Sequence, residues 1–279
     1  MSSLANVIDA SAPTPAVPSL AAWLRRWLPQ RSLIGFALPA AILLLWQLAA
    51  WRGWVDKVFL PEPVSVLEAF WKMLTTQDLA VDFLASIRIV SQGFLYGAAA
   101  AVGLGILAGL SQRFEQFLSP TFDTIRHIPG IAWLPLIVLW LGLGAPAKVL
   151  VIAKSVFFPV FLNTLQGIRN VDKSYIELSR VMTLTRWQLV RKIILPAAMP
   201  NIMVSLRYAA GLAWALVVVA EGLSGLEGLG FLIFRAQGLL LTDQLLVCMV
   251  IIGGVGFLID RGMYLLQRRV LRWKQGYEG

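Results

Sequence analysis

The chain has 279 residues, 58% hydrophobic and only 14% charged, with a mean hydropathy of +0.74. Soluble domains are about 45–50% apolar and about 25% charged, so no domain-length stretch here is polar enough to fold in water, and the bilayer is the expected solvent. Lys and Arg number 24 against 15 Asp and Glu, a net +9, which in so apolar a chain reads as a basic cytoplasmic surface and not as a nucleic-acid site.

Residues 1–32 are rich in Ala, Ser and Pro and lack the apolar core of a secretory signal, so a largely disordered cytoplasmic tail is expected there. A bilayer-spanning helix needs about 20 mostly apolar residues. Six stretches meet or approach that: 33–51, 87–110, 125–143, 147–165, 202–220 and 245–266. The third is interrupted by Pro129 and Pro135, which a membrane helix tolerates where neighbours re-satisfy the freed carbonyls. The class expected is all-α and polytopic, with a transmembrane domain over 33–267 and a C-terminal tail over 268–279.

Between the first two spans, 61–82 is amphipathic: Val64, Leu67, Phe70, Trp71 and Leu74 share a helical face, as in an interfacial helix. In the second span, Gly105 and Gly109 form a GxxxG within a run of small residues. Such a face lets helices approach closely, either as static packing or as a sliding contact. Cys248 is the one cysteine, which excludes an intramolecular disulfide and a Cys-based metal cluster.

Basic residues set the orientation. Arg25, Arg26 and Arg31 precede the first span; Arg169, Lys173, Arg180, Arg186, Arg191 and Lys192 lie between the fourth and fifth; Arg268, Arg269, Arg272 and Lys274 follow the last. Both termini and the 166–192 segment are therefore expected on the cytoplasmic side.

That segment contains ELSRVMTLTRWQLVRKIILP, 177–196. Asp172 can cap a helix whose apolar positions Tyr175, Leu178, Val181 and Met182 recur at three and four residues. Thr185 and Gln188 have capping-box spacing and start a second helix. Pro196 and Pro200 are expected to mark a turn into the fifth span. An apolar face flanked by charges suits docking in a protein groove; the plain alternative is a helix lying on the membrane surface.

The segment resembles the EAA loop of permease subunits of bacterial ATP-binding-cassette importers. Glu177, Leu178 and Ser179 occupy the E-A-A places, Thr183 the glycine place, and Ile193, Leu195 and Pro196 the I-x-L-P places. FLPEPVSVLEAF, IPGIAWLPLIVLWLGLGAPAKVLVIA, FFPVFLNTLQGIRNVD and AEGLSGLEGLGFLI resemble segments of the sulfonate, taurine and nitrate branch. LNTLQGIRNVD, PNIMVSLRYAAGL and RRVLRWK are nearest to aliphatic-sulfonate permeases. The resemblance extends over roughly 35–275.

It implies a type I importer permease fold, a homodimer in the lipid of the bacterial inner membrane, two cytoplasmic ATP-binding subunits and an extracytoplasmic solute-binding protein. It implies further that the loop near 172–192 is the coupling helix, with Tyr175, Glu177, Leu178, Ser179, Arg180, Met182, Thr183, Leu184 and Pro196 at the ATPase contact. This chain would hold no cofactor, ATP and Mg being bound by the ATPase. A helix C-terminus that wants a left-handed residue favours glycine. With Thr183 there, a reshaped turn with the hydroxyl bonded to a nearby carbonyl is expected over a strained left-handed one.

Four residues are candidates for the translocation path: Lys154, Asn163, Trp214 and Glu221. Lys154 lies about 10 Å into the fourth span, where the family generally carries an apolar residue. A cation there suits an anionic solute, against snorkelling or pairing with Glu221. Glu221 is read as a hydrogen bond across helices, Asn163 and Trp214 as path or packing, Arg207 as orienting or snorkelling, and His127 as structural.

No HExxH, GxSxG or GxxxxGK[ST] occurs, so neither hydrolase chemistry nor ATP hydrolysis is expected of this chain. The rival class is an ion-coupled secondary transporter, which predicts intramembrane acids and often internal repeats; acids are scarce and no repeat is evident. The expected function is alternating-access import of a small organic anion, an aliphatic sulfonate by resemblance. Taurine, nitrate or an aromatic acid such as phthalate are alternatives for the same machinery.

Overall fold

A computed structural model of the chain describes residues 30–76, 79–224 and 227–273, with the backbone alone at 30–36, Thr76 and Arg180. Every regular element among the described residues is helical. Most of the expected N-terminal tail and the end of the C-terminal one lie outside the described residues.

Helix α1, Gln30–Trp51, belongs to a unit that ends at Lys57. Its described apolar part, Ala37–Trp51, is shorter than a bilayer crossing. The second unit starts at Val58 and contains everything below.

The amphipathic stretch forms α2, Pro63–Thr76, which buries Ala69 and Met73 and packs on the last long helix. Helix α3, Leu79–Leu110, begins eight residues before the expected second span and carries Asp82 and Ser86 in its added turns. Helix α4, Gln112–Arg126, starts with Ser111 accepting the Phe114 N–H. It is followed by a 3₁₀ turn, Gly130–Trp133, and α5, Leu134–Leu141. The expected third span is thus a pair of helices bent by 86° at Pro129. Proline there removes an amide that a continuing helix would need.

Helix α6, Ala145–Arg169, packs along α3. The small residues of α3 make this possible. A Cβ on Gly97 would lie 2.4 Å from the Ala153 carbonyl oxygen, and one on Gly105 would lie 2.8 Å from Thr164 Cβ. The GxxxG face is therefore a helix–helix contact, with α6 as its partner. Arg169 at the end of α6 pairs with Glu115 in the first turn of α4, fixing these two ends together.

The loop helix α7, Lys173–Val181, is followed by α8, Arg186–Leu189, a π turn, Val190–Ile194, and α9, Leu195–Ser224. The expected turn at Pro196 and Pro200 is absent: 186–224 runs as one helix of 39 residues. Pro196 stands directly after the π turn, which absorbs the change of register within the continuous helix. Helix α10, Leu229–Gly238, and α11, Thr242–Val270, pack on α9 and complete the unit.

Among the described residues four helices are long and apolar enough to cross a membrane, or five if the bent pair counts as one span. The sequence expected six. The expected first span, 33–51, falls within the 22-residue α1 but only partly on fully described residues, and the expected third is split by the bend. The core is formed by α3, α6 and α9, with Ala101, Val156, Val160, Ala209 and Ala213 fully buried between them.

Candidate functional site

Two polar constructions stand out against this apolar scaffold: the loop around α7 and a set of charges among the long helices.

In the loop, the Asp172 carboxylate accepts the Ser174 N–H at 2.9 Å and its carbonyl accepts the Tyr175 N–H at 3.1 Å, starting α7 as the sequence suggested. This hydrogen bond from the Ser174 amide holds the Asp172 carboxyl below its ordinary pKa. The Ser179 side chain turns inward, buried, and its hydroxyl donates to the Ile176 carbonyl. Tyr175, Leu178, Val181 and Met182 point outward, Val181 at 81% exposure. Glu177 is exposed beside them, and the Arg180 side chain lies outside the described residues.

Thr183 ends α7 in the left-handed region, with φ 51°. The Leu184 N–H bonds back to the Ser179 carbonyl at 3.0 Å, the Schellman closure that glycine normally permits. The reshaped turn expected of a β-branched residue is thus not what forms; Thr183 takes the glycine geometry with its strain. Then Thr185 Oγ1 accepts the Gln188 N–H and Gln188 Oε1 accepts the Thr185 N–H, the capping box anticipated from spacing. Along this outward face opens a groove of about 460 Å³, lined by Tyr175, Leu178, Met182, Leu184, Pro196 and Trp273 among others. Five of the nine predicted loop residues are thereby brought to one surface.

At the opposite end of α9, Glu221 is fully buried. Its Oε2 accepts the Ser86 hydroxyl at 2.8 Å and the Gly230 N–H at 2.9 Å. The Leu229 N–H donates to Ser86 Oγ at 2.9 Å, and the Gly228 N–H to Asp82 Oδ1 at 2.7 Å. The first amides of a helix have no intrahelical acceptor. Those of α10 are met by acids and a hydroxyl from α3 and α9, which also suits the positive helix end. Gly228, at φ 108°, leaves no room for a Cβ, which would meet the Glu221 carboxyl carbon at 2.3 Å. Buried Lys148 reaches the Glu227 carbonyl at 3.4 Å. The cross-helix role read for Glu221 has Ser86 as its partner; Asp82 and Ser86 precede the expected second span at 87, and Lys148, inside the expected fourth, carries no local signal of its partner at Glu227.

Lys154, half-buried on α6, donates to the Ile128 carbonyl at 2.6 Å, in the bend between α4 and α5. Its ammonium lies 5.1 Å from the centroid of the Trp133 ring and 5.7 Å from that of Phe158. The other two path candidates are internally satisfied: Asn163 Nδ2 donates to the Pro159 carbonyl, and buried Trp214 donates from Nε1 to the Ile252 carbonyl on α11. Arg207 forms a two-pronged ion pair with Asp260 of α11, both contacts at 2.6 Å. His127 is the exposed C-cap of α4. Among the described residues no cluster of His, Cys, Asp and Glu could hold a metal ion.

The profile of binding-protein-dependent transport system inner membrane components matches residues 101–272, which include the broken span, the loop and α9 to α11. The chain belongs to this family. An aliphatic sulfonates transport permease protein of Bacillus subtilis is 38% identical over 245 residues, covering 88% of this chain and 89% of the relative. Its counterpart of the same name in Escherichia coli is 35% identical over 255 residues, covering 91% and 95%. The inward-facing MetNI methionine ABC transporter structure superposes with a TM-score of 0.61 at 18% identity, covering 69% of this chain and 95% of that one, a likeness of fold.

The permease is accordingly a non-catalytic inner membrane component of an ABC importer, in the branch whose relatives include sulfonate, taurine, nitrate and bicarbonate permeases. Membership implies an ATPase and a binding protein as partners.

Proposed function

We propose that this permease moves a small organic anion, an aliphatic sulfonate, from a binding protein into the cytoplasm by alternating access. It acts as one of two identical copies, with both termini and the 172–192 loop on the cytoplasmic side. The observation that carries the ATP-driven reading is α7: a short capped helix whose outward face is Tyr175, Leu178, Val181 and Met182, three of which line an open groove. Such a face is unstable in water and fits a helix-in-groove contact with the ATPase. The turn at Thr183 fixes its angle to α8, and the unbroken helix 186–224 carries any push on α7 to the Glu221 end.

Two sulfonate relatives support the substrate. Lys154 is the path residue that would meet an anion; Asn163, Trp214 and Glu221 shape the path from within the packing. The test is a thermal-shift screen of the cognate binding protein against alkanesulfonate, taurine, nitrate, bicarbonate and phthalate, followed by ATPase activity of the reconstituted complex. Alkanesulfonate should shift the binding protein and stimulate hydrolysis, and Leu178→Glu should abolish ATPase association. Stimulation by nitrate or bicarbonate alone would refute the substrate, and uptake indifferent to loss of the ATPase would refute the machinery.

A further inference from the structure

The charge at Lys154 is the least explained feature of the membrane domain. A cation within a membrane helix normally finds a carboxylate. Among the described residues no acid pairs with it. Its partners are a backbone carbonyl, that of Ile128, and the faces of two aromatic rings. An ammonium has three donors, and these contacts leave its charge without a counterion in an apolar setting, where the field of one charge is strong.

A second donor lies in the same place. Trp133 Nε1 is buried with no hydrogen-bond partner, although buried polar groups are as a rule bonded. It belongs to the ring over which the Lys154 ammonium stands, 5.1 Å from the centroid. An uncompensated cation and an orphaned indole N–H thus share one small region, at the bend where the 3₁₀ turn meets α6. The bend creates that region: Ser155 Oγ would lie 1.8 Å from a Cβ on Gly130, so glycine lets the turn close down on α6 beside Lys154.

The third observation is the wall that leads away from it. Phe158, one helical turn along α6, has its ring 5.7 Å from the ammonium. Phe122 of α4 meets Phe158 edge-on at 5.8 Å and Phe161 at 5.1 Å. Phe158 and Phe122 are half-buried, so their rings remain partly accessible. A charged head with an aromatic wall is the shape of an amphiphilic anion, and it would be wasted on a small hydrated one.

The geometry points to a binding subsite for an organic anion with an apolar body: the acid group on Lys154 and the Trp133 N–H, the apolar part on Phe158 and Phe122. The subsite deepens the importer reading and rests on it. Charge and hydrogen bond hold the head, and ring faces take a chain or a ring without demanding one shape. Nitrate and bicarbonate would use the head alone.

The test uses the complete importer in proteoliposomes, with radiolabelled butanesulfonate and nitrate, and records uptake and ATP hydrolysis together. The variants are Lys154→Met, Lys154→Arg and Trp133→Phe, the last removing the indole N–H while keeping a smaller aromatic ring. Lys154→Met should lower butanesulfonate uptake per ATP at least tenfold, and Trp133→Phe about threefold or more. Binding-protein-stimulated hydrolysis and the melting temperature of the complex should stay near wild type, and Lys154→Arg should retain most uptake. A merely structural lysine would lower hydrolysis and melting temperature along with uptake, which overturns the subsite. Wild-type uptake per ATP in both Lys154→Met and Trp133→Phe overturns it as well, leaving the importer reading intact. A wild-type complex that carries nitrate and not butanesulfonate removes the organic-anion reading itself, and the subsite with it.

Discussion

Ser86 of α3 donates its hydroxyl to Glu221 of α9 over 2.8 Å, and both side chains are fully buried. The same Ser86 oxygen accepts the Leu229 N–H, so one hydroxyl ties α3, α9 and the start of α10. Removing it in Ser86→Ala leaves the Leu229 amide without an acceptor and strips Glu221 of one donor. A buried polar group left unpaired costs about 1–3 kcal/mol. Ser86→Ala should therefore lower the stability of the purified permease by that order, read as a lower melting temperature in detergent. Ser86→Thr, which keeps the hydroxyl, should lose less. Equal melting temperatures for wild type and Ser86→Ala would mean that water replaces the hydroxyl.

Thr183 makes a prediction in the opposite direction. A non-glycine residue in the left-handed region is strained by about 1–2 kcal/mol, while glycine gives back about 0.5–1 kcal/mol through the freedom of the unfolded chain. Thr183→Gly should therefore leave stability unchanged or raise it by up to about 1.5 kcal/mol, and preserve ATPase association, since the closure from Leu184 to Ser179 is already the glycine geometry. Co-purification of the ATPase with the variant, with the two melting curves side by side, measures both. Loss of the ATPase would show that the hydroxyl or methyl of Thr183 is itself part of the contact.

The two turns flanking Thr183 explain why this loop was readable and other parts were not. Asp172 and the Thr185–Gln188 pair act on their own backbone within three residues, so their spacing alone specifies the caps. At Thr183 the side chain's own hydrogen-bonding options predict a reshaped turn, whereas the backbone closure from the Leu184 N–H to the Ser179 carbonyl forms with Thr183 left-handed. The apolar run that marks the second span begins at 87, so Asp82 and Ser86 fall outside it. They are in fact helical, and what makes them tolerable is a helix end 143 or more positions away along the chain, whose amides they cap. No window of sequence contains that relationship. The same holds for Arg207, whose acid, Asp260, stands 53 positions on and was not among the residues the sequence singled out.

Asp172 gives the loop a pH dependence. Its carboxyl lies below the ordinary value because the ionised form accepts the Ser174 N–H. A group depressed in the folded state contributes its stabilisation at all pH above the unfolded carboxylate value and loses it as pH falls through the folded one. At neutral pH the cap is intact. Acidification below the normal carboxylate range should loosen the first turn of α7, seen as faster hydrogen exchange at the Ser174 and Tyr175 amides relative to α9. Asp172→Asn, which keeps an acceptor without a charge, should abolish that pH dependence while retaining the helix start.

Arg207 and Asp260 test whether α9 and α11 face an apolar medium where they pair. In water such an exposed pair contributes little, and each partner could be removed alone without effect. These two stand on helices apolar enough to cross a membrane, and the guanidinium also lies 5.3 Å from the Tyr264 ring centroid. In hydrocarbon or against a second copy, a single substitution leaves the other charge uncompensated, whereas replacing both with apolar residues removes the problem. Arg207→Met and Asp260→Met should each reduce the amount of folded permease recovered from membranes several-fold, and the double variant should recover most of it. Arg207→Lys should be intermediate, because an ammonium cannot reproduce the two-pronged contact. Neutral single variants would place the pair in water, and the span boundaries of α9 and α11 would then have to be redrawn to exclude it.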